Sequence, residues 1–275
     1  MKNEISGDES RRSFRSSAPI GRDLKKALRA LRAACGAAAL IMAAAWTPAA
    51  AAGPRIAVVI DDFGLTYPKN VPDEEWMKLS FPLTFAVMPE SPRTTKAALA
   101  AKAAGKEVIV HFPFDPFLSL SLPSQEASAE DIRKVSDLLG KSFRTIPGAV
   151  GLNNHRSYKA TQNAPIMRAF MGEYRKKGLY FLDSGVSPKS VAAREAASAG
   201  IRSARNDVFL DEARRHDKAF CRRMLRRAAE IARKKGQAVA IGHHYFHGTF
   251  EGLKEMVPEL QKEGFEFVFA SQVVR

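Results

Sequence analysis

Two aspartates stand side by side in Val59-Ile60-Asp61-Asp62-Phe63-Gly64, at the end of an apolar run rich in β-branched residues. Such a run reads as a strand buried on both faces, and adjacent acids at its carboxyl end repel each other if both ionise. A pair of this kind binds a cation or divides into an acid and a base; the plain alternative is a solvated Asp-Asp turn. Other apolar runs also end in polar residues. His111 closes Val108-Ile109-Val110, Asn153-Asn154-His155 follow Gly151-Leu152, and Asp183-Ser184 follow Phe181-Leu182. Asn206-Asp207 come after the run 201–204, and His243-His244 after Ala240-Ile241-Gly242.

A carboxylate with two imidazoles suits Zn2+ or another divalent ion and leaves positions open for water and substrate. Asp62, His111 and His155 are the expected ligands. A metal so held polarises a carbonyl and acidifies bound water, which makes hydrolysis the natural reaction class. Asp61 is then free to take the water's proton, and His243, arriving from the far side, to protonate the leaving group. Asn153, Asn154, Asp183, Ser184, Asp207 and His244 complete the rim as expected substrate contacts. Each residue taken singly has a structural reading: His111 as a core histidine, the asparagines as turn residues, Asp183-Ser184 as a helix cap. Neighbours on an extended chain point apart, so only one of His243 and His244 would normally ligate a metal. His216 and His247 read as surface residues. There is no Gly-x-Ser-x-Gly elbow, no phosphate-cradling glycine loop and no cysteine near these motifs, so nucleophilic-serine, cysteine and nucleotide chemistry recede.

These residues need a scaffold that brings distant chain segments to one rim. Apolar runs predict strands at 55–60, 83–87, 107–111, 149–152, 179–182, 201–204, 238–242 and 266–270. Helical patterns fall between most of them, at 94–104, 129–143, 163–177, 188–199, 216–235 and 249–263. Alternation of this kind implies parallel strands with crossover helices, in a barrel or a doubly wound sheet, whose carboxyl ends share one face. Ser128, Pro165 and Pro188 mark helix starts, and Gly105, Gly178, Gly200, Gly236 and Gly264 each precede a strand where a left-handed cap would end a helix. The segment Pro113 to Ala127, with three prolines, reads as a long loop able to roof the site.

Of the 275 residues, those before Gly53 carry nine Lys/Arg against four Asp/Glu, a net +5, and the chain as a whole is +14, leaving +9 for the remainder. Basic charge on helical faces such as Arg222-Arg223 and Arg226-Arg227, without a zinc-finger spacing or aromatic-basic sheet motif, points to an anionic envelope surface rather than nucleic acid. Residues 1–52 read as a secretory leader: a basic start, an alanine-dominated run from Ala33 to Trp46 and small residues up to Ala52. That run is short for a span, which takes about 20 residues; an uncleaved anchor is the alternative. Ser10-Arg11-Arg12-Ser13-Phe14 lies too far upstream of the run for a twin-arginine signal. Residues 53–275 read as one domain, exported to the periplasm, whose single cysteine, Cys221, excludes an internal disulfide; the oligomeric state is left open.

The ordered blocks Val59-Ile60-Asp61-Asp62-Phe63-Gly64, Leu83-Thr84-Phe85-Ala86-Val87-Met88-Pro89, Gly105 to Pro113, Gly151-Leu152-Asn153-Asn154-His155, Phe181-Leu182-Asp183-Ser184, Asp207-Val208-Phe209-Leu210-Asp211 and Ile241-Gly242-His243 resemble the divergent polysaccharide deacetylase family, an offshoot of the NodB-type carbohydrate esterases. The resemblance implies a distorted (β/α)7-8 barrel with mostly parallel strands, and metal-dependent removal of acetyl groups from an N-acetylated glycan. It matches Asp61 to the base, Asp62 and His111 to metal ligands, and His243 to the late general acid. Typical NodB-type enzymes take both histidine ligands from one His-x-x-x-His stretch. Here Asp115 stands four after His111, so His155 must supply the second imidazole. Arg156-Ser157-Tyr158 replaces a usual small Gly-Ser pair, and His244 a common proline. The rival expectation, from the missing pair, is a non-catalytic glycan-binding or regulatory module that retains the barrel.

Overall fold

The computed structural model describes residues 53–67, 71–114 and 126–275. The expected leader over residues 1–52 and most of the expected roof, residues 115–125, lie outside the described residues. Along the chain run β1 (Arg55–Phe63), α1 (Asp73–Met77), β2 (Thr84–Val87), α2 (Thr94–Ala103), β3 (Glu107–Pro113), α3 (Ala129–Thr145), β4 (Gly151–His155) and α4 (Tyr158–Gln162). There follow α5 (Ala164–Tyr174), β5 (Tyr180–Asp183), α6 (Ala192–Ser198), β6 (Ser203–Arg205), β7 (Val208–Phe209), α7 (Lys218–Lys235), β8 (Gln237–His243), α8 (His247–Lys262) and β9 (Glu266–Val268).

The strands form one sheet in the order β6-β5-β4-β3-β2-β1-β8-β7, with β9 added beside the start of β1. Each of these strand pairings is parallel. The sheet curls until its two outer strands meet through a single stretch of chain. Asn206 N–H donates to the Asp183 carbonyl on β5 at 2.8 Å, and the next residue, Asp207, donates to Val239 on β8 at 3.0 Å. This is the barrel-like, parallel α/β fold that the alternating pattern implies.

Period-two alternation divides each strand between two cores. Ile56, Val58 and Ile60 of β1, Val108, Val110 and Phe112 of β3, and Ala238 and Ala240 of β8 join the large cluster shared with the helices. Ala57 and Val59, Ile109, and Val239 and Ile241 join a second, smaller cluster inside the curl. Continuing the inner series by two residues leads to Asp61, His111 and His243. The apolar filling of the barrel thus gives way to chemistry at the carboxyl rim.

Helix boundaries follow local chemistry. Ser128 caps α3 in a reciprocal pair with Asp131, Asn163 caps α5 and Asp217 caps α7. All five glycines expected to end helices adopt positive φ, between 67° and 90°. Several expected boundaries shift. The helix expected from 188 begins at Ala192, because residues 187–190 form a turn closed by Ser190 N–H to Ser187 O. The pattern also did not predict the two-residue strand β7 or the five-residue helices α1 and α4.

Candidate metal centre

Strand β1 runs past its expected end at Ile60 and carries both aspartates to its last turn. On an extended strand, consecutive side chains point to opposite faces, so Asp61 and Asp62 should diverge. They converge because Asp62 takes a left-handed backbone, φ 68°, beside a break in register with β2, where Ile60 pairs Phe85 but Phe63 pairs Val87. One extra residue on β1 re-aims the Asp62 carboxylate into the barrel mouth, the usual work of a bulge near a site. A left-handed non-glycine residue costs about 1–2 kcal/mol. This strain is stored where the two acids meet.

Three atoms close a triangle. Asp62 Oδ1 lies 3.2 Å from His111 Nε2 and 3.2 Å from His155 Nδ1, and the two nitrogens are 3.0 Å apart. Tetrahedral coordination with bonds of about 2.0–2.2 Å separates neighbouring donors by about 3.3–3.6 Å, slightly wider than this triangle. The donor set is therefore spaced for one small divalent ion, and among the described residues these three form a group able to hold one. Asp62 Oδ1 is buried and accepts no hydrogen bond, as an atom reserved for a cation would.

The neighbours fix each donor. His111 Nδ1 donates to Asn153 Oδ1 at 2.8 Å, which directs the lone pair of Nε2 at the triangle. Asn153 Nδ2 in turn donates to Asp61 Oδ1 at 2.8 Å and to Ser184 Oγ at 3.1 Å. One fully buried amide thus sets the orientation of a candidate ligand and of the candidate base. Asp61 Oδ2 remains 3.6 Å from His111 Nε2. His243 arrives on β8, paired with Asp61 in the strand register. Its Nδ1 meets Asp211 Oδ1 at 2.6 Å, leaving Nε2 as the nitrogen not engaged with Asp211. Asp211 Oδ2 also accepts from the backbone of His243 at 2.9 Å and from Thr249 Oγ1 at 2.5 Å.

Burial and charge set the protonation states. Burial raises the Asp61 carboxyl above its ordinary value, against the pull of His111 and His243. Burial also works to raise Asp62, but the His111 and His155 imidazoles beside it outweigh that and hold this carboxyl far below the usual range. His111 is opposed by burial yet raised by Asp61 and Asp62, while burial lowers His155. His243 is pushed up to about 9: burial opposes its charge, and the Asp211 carboxylate overcomes that. The site thus pairs carboxylates of opposite shift with a histidine held cationic.

Asp61, Asp62, His111, Asn154, His155, Arg156, Ser184, Val186, Phe209, His243 and Tyr245 line a cavity of about 100 Å³. Four expected substrate contacts stand elsewhere. Asn153 is a buried brace. Asp183 is fully buried and accepts from Gly185 N–H. Asp207 bonds Lys235 and the Val239 backbone, well down β8 from the rim. His244 packs behind the wall with its ring 5.1 Å from Phe63, and burial lowers it to about 4. Asn154 does line the cavity, but its Oδ1 is taken by Ser184 N–H and the Ser184 hydroxyl returns to the Asn154 carbonyl. The residue that spacing alone did not single out is Asp211. Its position two beyond Phe209, in the same parity, was the available signal.

The model of the divergent polysaccharide deacetylase family matches residues 58–274. The chain belongs to that family. It is 33% identical over 212 residues to protein YibQ of Escherichia coli (strain K12), itself uncharacterized, covering 75% of this chain and 63% of that relative. The chain therefore spans somewhat under two thirds of that relative's length. A solved structure of uncharacterized protein ATU2773 from Agrobacterium tumefaciens C58 superposes with TM-score 0.70 at 22% identity, covering 82% of this chain and 91% of that one. A structure titled T48 deacetylase with substrate superposes with TM-score 0.52 at 16% identity, covering 80% and 90%. Both share the fold of this family member.

Proposed function

We propose that this protein is a zinc-dependent hydrolase that removes acetyl groups from an N-acetylated envelope or exported glycan. The observation that carries this reading is the triangle of Asp62 Oδ1, His111 Nε2 and His155 Nδ1, flanked by Asp61 on one strand and His243 on its neighbour. A divalent ion held by those three atoms would polarise the acetyl carbonyl and acidify water. Asp61, kept in place by Asn153, accepts a proton from the attacking water at Oδ2. The water oxygen bonds to the acetyl carbon, the carbon–nitrogen bond breaks, and the amine nitrogen leaves with a proton from His243 Nε2. Asp211 holds the other edge of that imidazole and stabilises its charge. A cavity of about 100 Å³ is below the size of ordinary ligand pockets, roughly 300 Å³ upward. It suits an acetamido group, with the sugar ring at the mouth.

In this reading residues 1–52 are a leader that delivers 53–275 to the periplasm, and the basic residues Arg223, Arg227 and Lys234 of α7 face an anionic envelope surface. Mass analysis of N-acetylglucosamine oligomers incubated with zinc-loaded protein tests the chemistry. Loss of roughly 42 mass units per sugar, the acetyl-for-hydrogen exchange of amide hydrolysis, supports it. Binding without any change in mass would instead favour a glycan-recognition module.

A further inference from the structure

The mouth of the cavity carries one feature that amide hydrolysis does not use. Arg156 follows the candidate ligand His155, is exposed, and is the one lysine or arginine among the described residues lining the cavity. Its backbone is left-handed, φ 50°, as is that of Ser157, φ 56°. Two successive residues with Cβ atoms in this region are disfavoured, and the turn persists because Ser157 is pinned. The Ser157 hydroxyl accepts from Phe114 N–H at 3.0 Å and donates to the His155 carbonyl at 2.6 Å. The strained turn thereby holds Arg156 at the rim instead of letting it lie along the surface. Among the described residues the guanidinium meets no carboxylate within ion-pair distance, while its charge is felt by Tyr67, Tyr245 and His155. Tyr67 and Tyr245 pack together with centroids 4.4 Å apart, an aromatic wall beside the cation.

We propose that Arg156 selects an acidic glycan, binding a carboxylate carried by the acetylated sugar or its neighbour while Tyr245 and Val186 flank the ring. This deepens the deacetylase reading and rests on it for the placement of the acetamido group in the cavity. A guanidinium presents a planar fork matched to a carboxylate, and one at a site's edge with no carboxylate in reach among the described residues is available for that bond. A monoanion is favoured over a phosphate dianion because Arg156 is the one lysine or arginine among the described residues lining this mouth and neutralises a single negative charge.

Calorimetry on the purified protein, at low and high salt, compares two probes: a neutral N-acetylglucosamine disaccharide and the disaccharide of N-acetylglucosamine with N-acetylmuramic acid, which adds a carboxylate. The acidic probe should bind about tenfold more tightly at low salt, the order expected of one partly exposed charge-assisted contact, with the margin shrinking as salt rises. Arg156→Met should cut the preference to below twofold, and Arg156→Lys should retain part of it, with melting curves verifying that both variants fold. Equal binding of the two probes by the unaltered protein, or a preference that survives in Arg156→Met, overturns the proposal. A phosphorylated N-acetylglucosamine probe that outcompetes the carboxylated one overturns the carboxylate assignment. Mass analysis of the same mixtures separates the two levels. Preference without deacetylation sinks the hydrolase and leaves the anion site, whereas deacetylation without preference sinks the anion site alone.

Discussion

His243 Nδ1 and Asp211 Oδ1 lie 2.6 Å apart, with the Asp211 side chain anchored by the backbone it serves. This contact keeps His243 protonated to about pH 9 despite its burial. Activity should therefore persist through neutral pH and fall as pH rises past about 9. Asp211→Asn removes the charge and should move that upper limb down by about 1–2 units. A pH–rate profile, with NMR titration of His243 as a readout independent of turnover, checks it. The linkage has a matching sign. The folded value lies above the unfolded one of about 6.5, so the stabilisation is full below about pH 6.5 and is lost as pH rises through about 9.

Asp61 defines the opposite limb. Burial raises its carboxyl, so the base is protonated at a higher pH than an exposed aspartate would be. Rate should decline on the acid side above the ordinary carboxylate range. Asp61→Asn should lower kcat by about 10²–10⁴-fold while metal content, read by elemental analysis, stays near one equivalent.

Metal binding should stabilise the fold. At zinc one hundredfold above its dissociation constant the gain is about 2.7 kcal/mol, visible as a raised Tm that a chelator reverses. His155→Ala and His111→Ala should each abolish that shift. A variant of either kind that keeps both its bound metal and its shift would refute the triangle as a coordination site.

Asn153 joins His111, Asp61 and Ser184. Asn153→Ala strands buried partners and should cost about 1–3 kcal/mol in denaturant unfolding. The loss of orientation should also weaken metal affinity by about 10–100-fold, measured by competition with a coloured chelator.

Gly242 has no room for a side chain. A Cβ there would lie 2.7 Å from Thr249 Cγ2 and 3.1 Å from Asp211 Oδ2. Gly242→Ala should destabilise by about 1–3 kcal/mol through overpacking, and by pushing Asp211 away it should lower the upper pH limb in the same direction as Asp211→Asn.

The sheet and the convergence of its carboxyl ends were legible because burial on both faces leaves continuous apolar runs, and because helix-ending glycines punctuate them. Asp62, His111 and His155 could be selected by residue type and strand-end position. How two adjacent aspartates share a face could not, since the left-handed turn at Asp62 is imposed by the offset with β2, a tertiary effect. Asp207 and Asp211 sit in one short segment, and type alone does not separate them. Two-residue β7 turns Asp211 toward Gly242 and Thr249 while Asp207 points back along β8. Asn153 looked like a substrate contact because exposed rim and buried brace carry the same amide; only its complete burial tells them apart.

The conformation of Asp62 sets up an easy path of decay. Glycine at that position would relax the turn while removing the carboxylate that His111 and His155 face, leaving the barrel without its candidate ion-binding triangle.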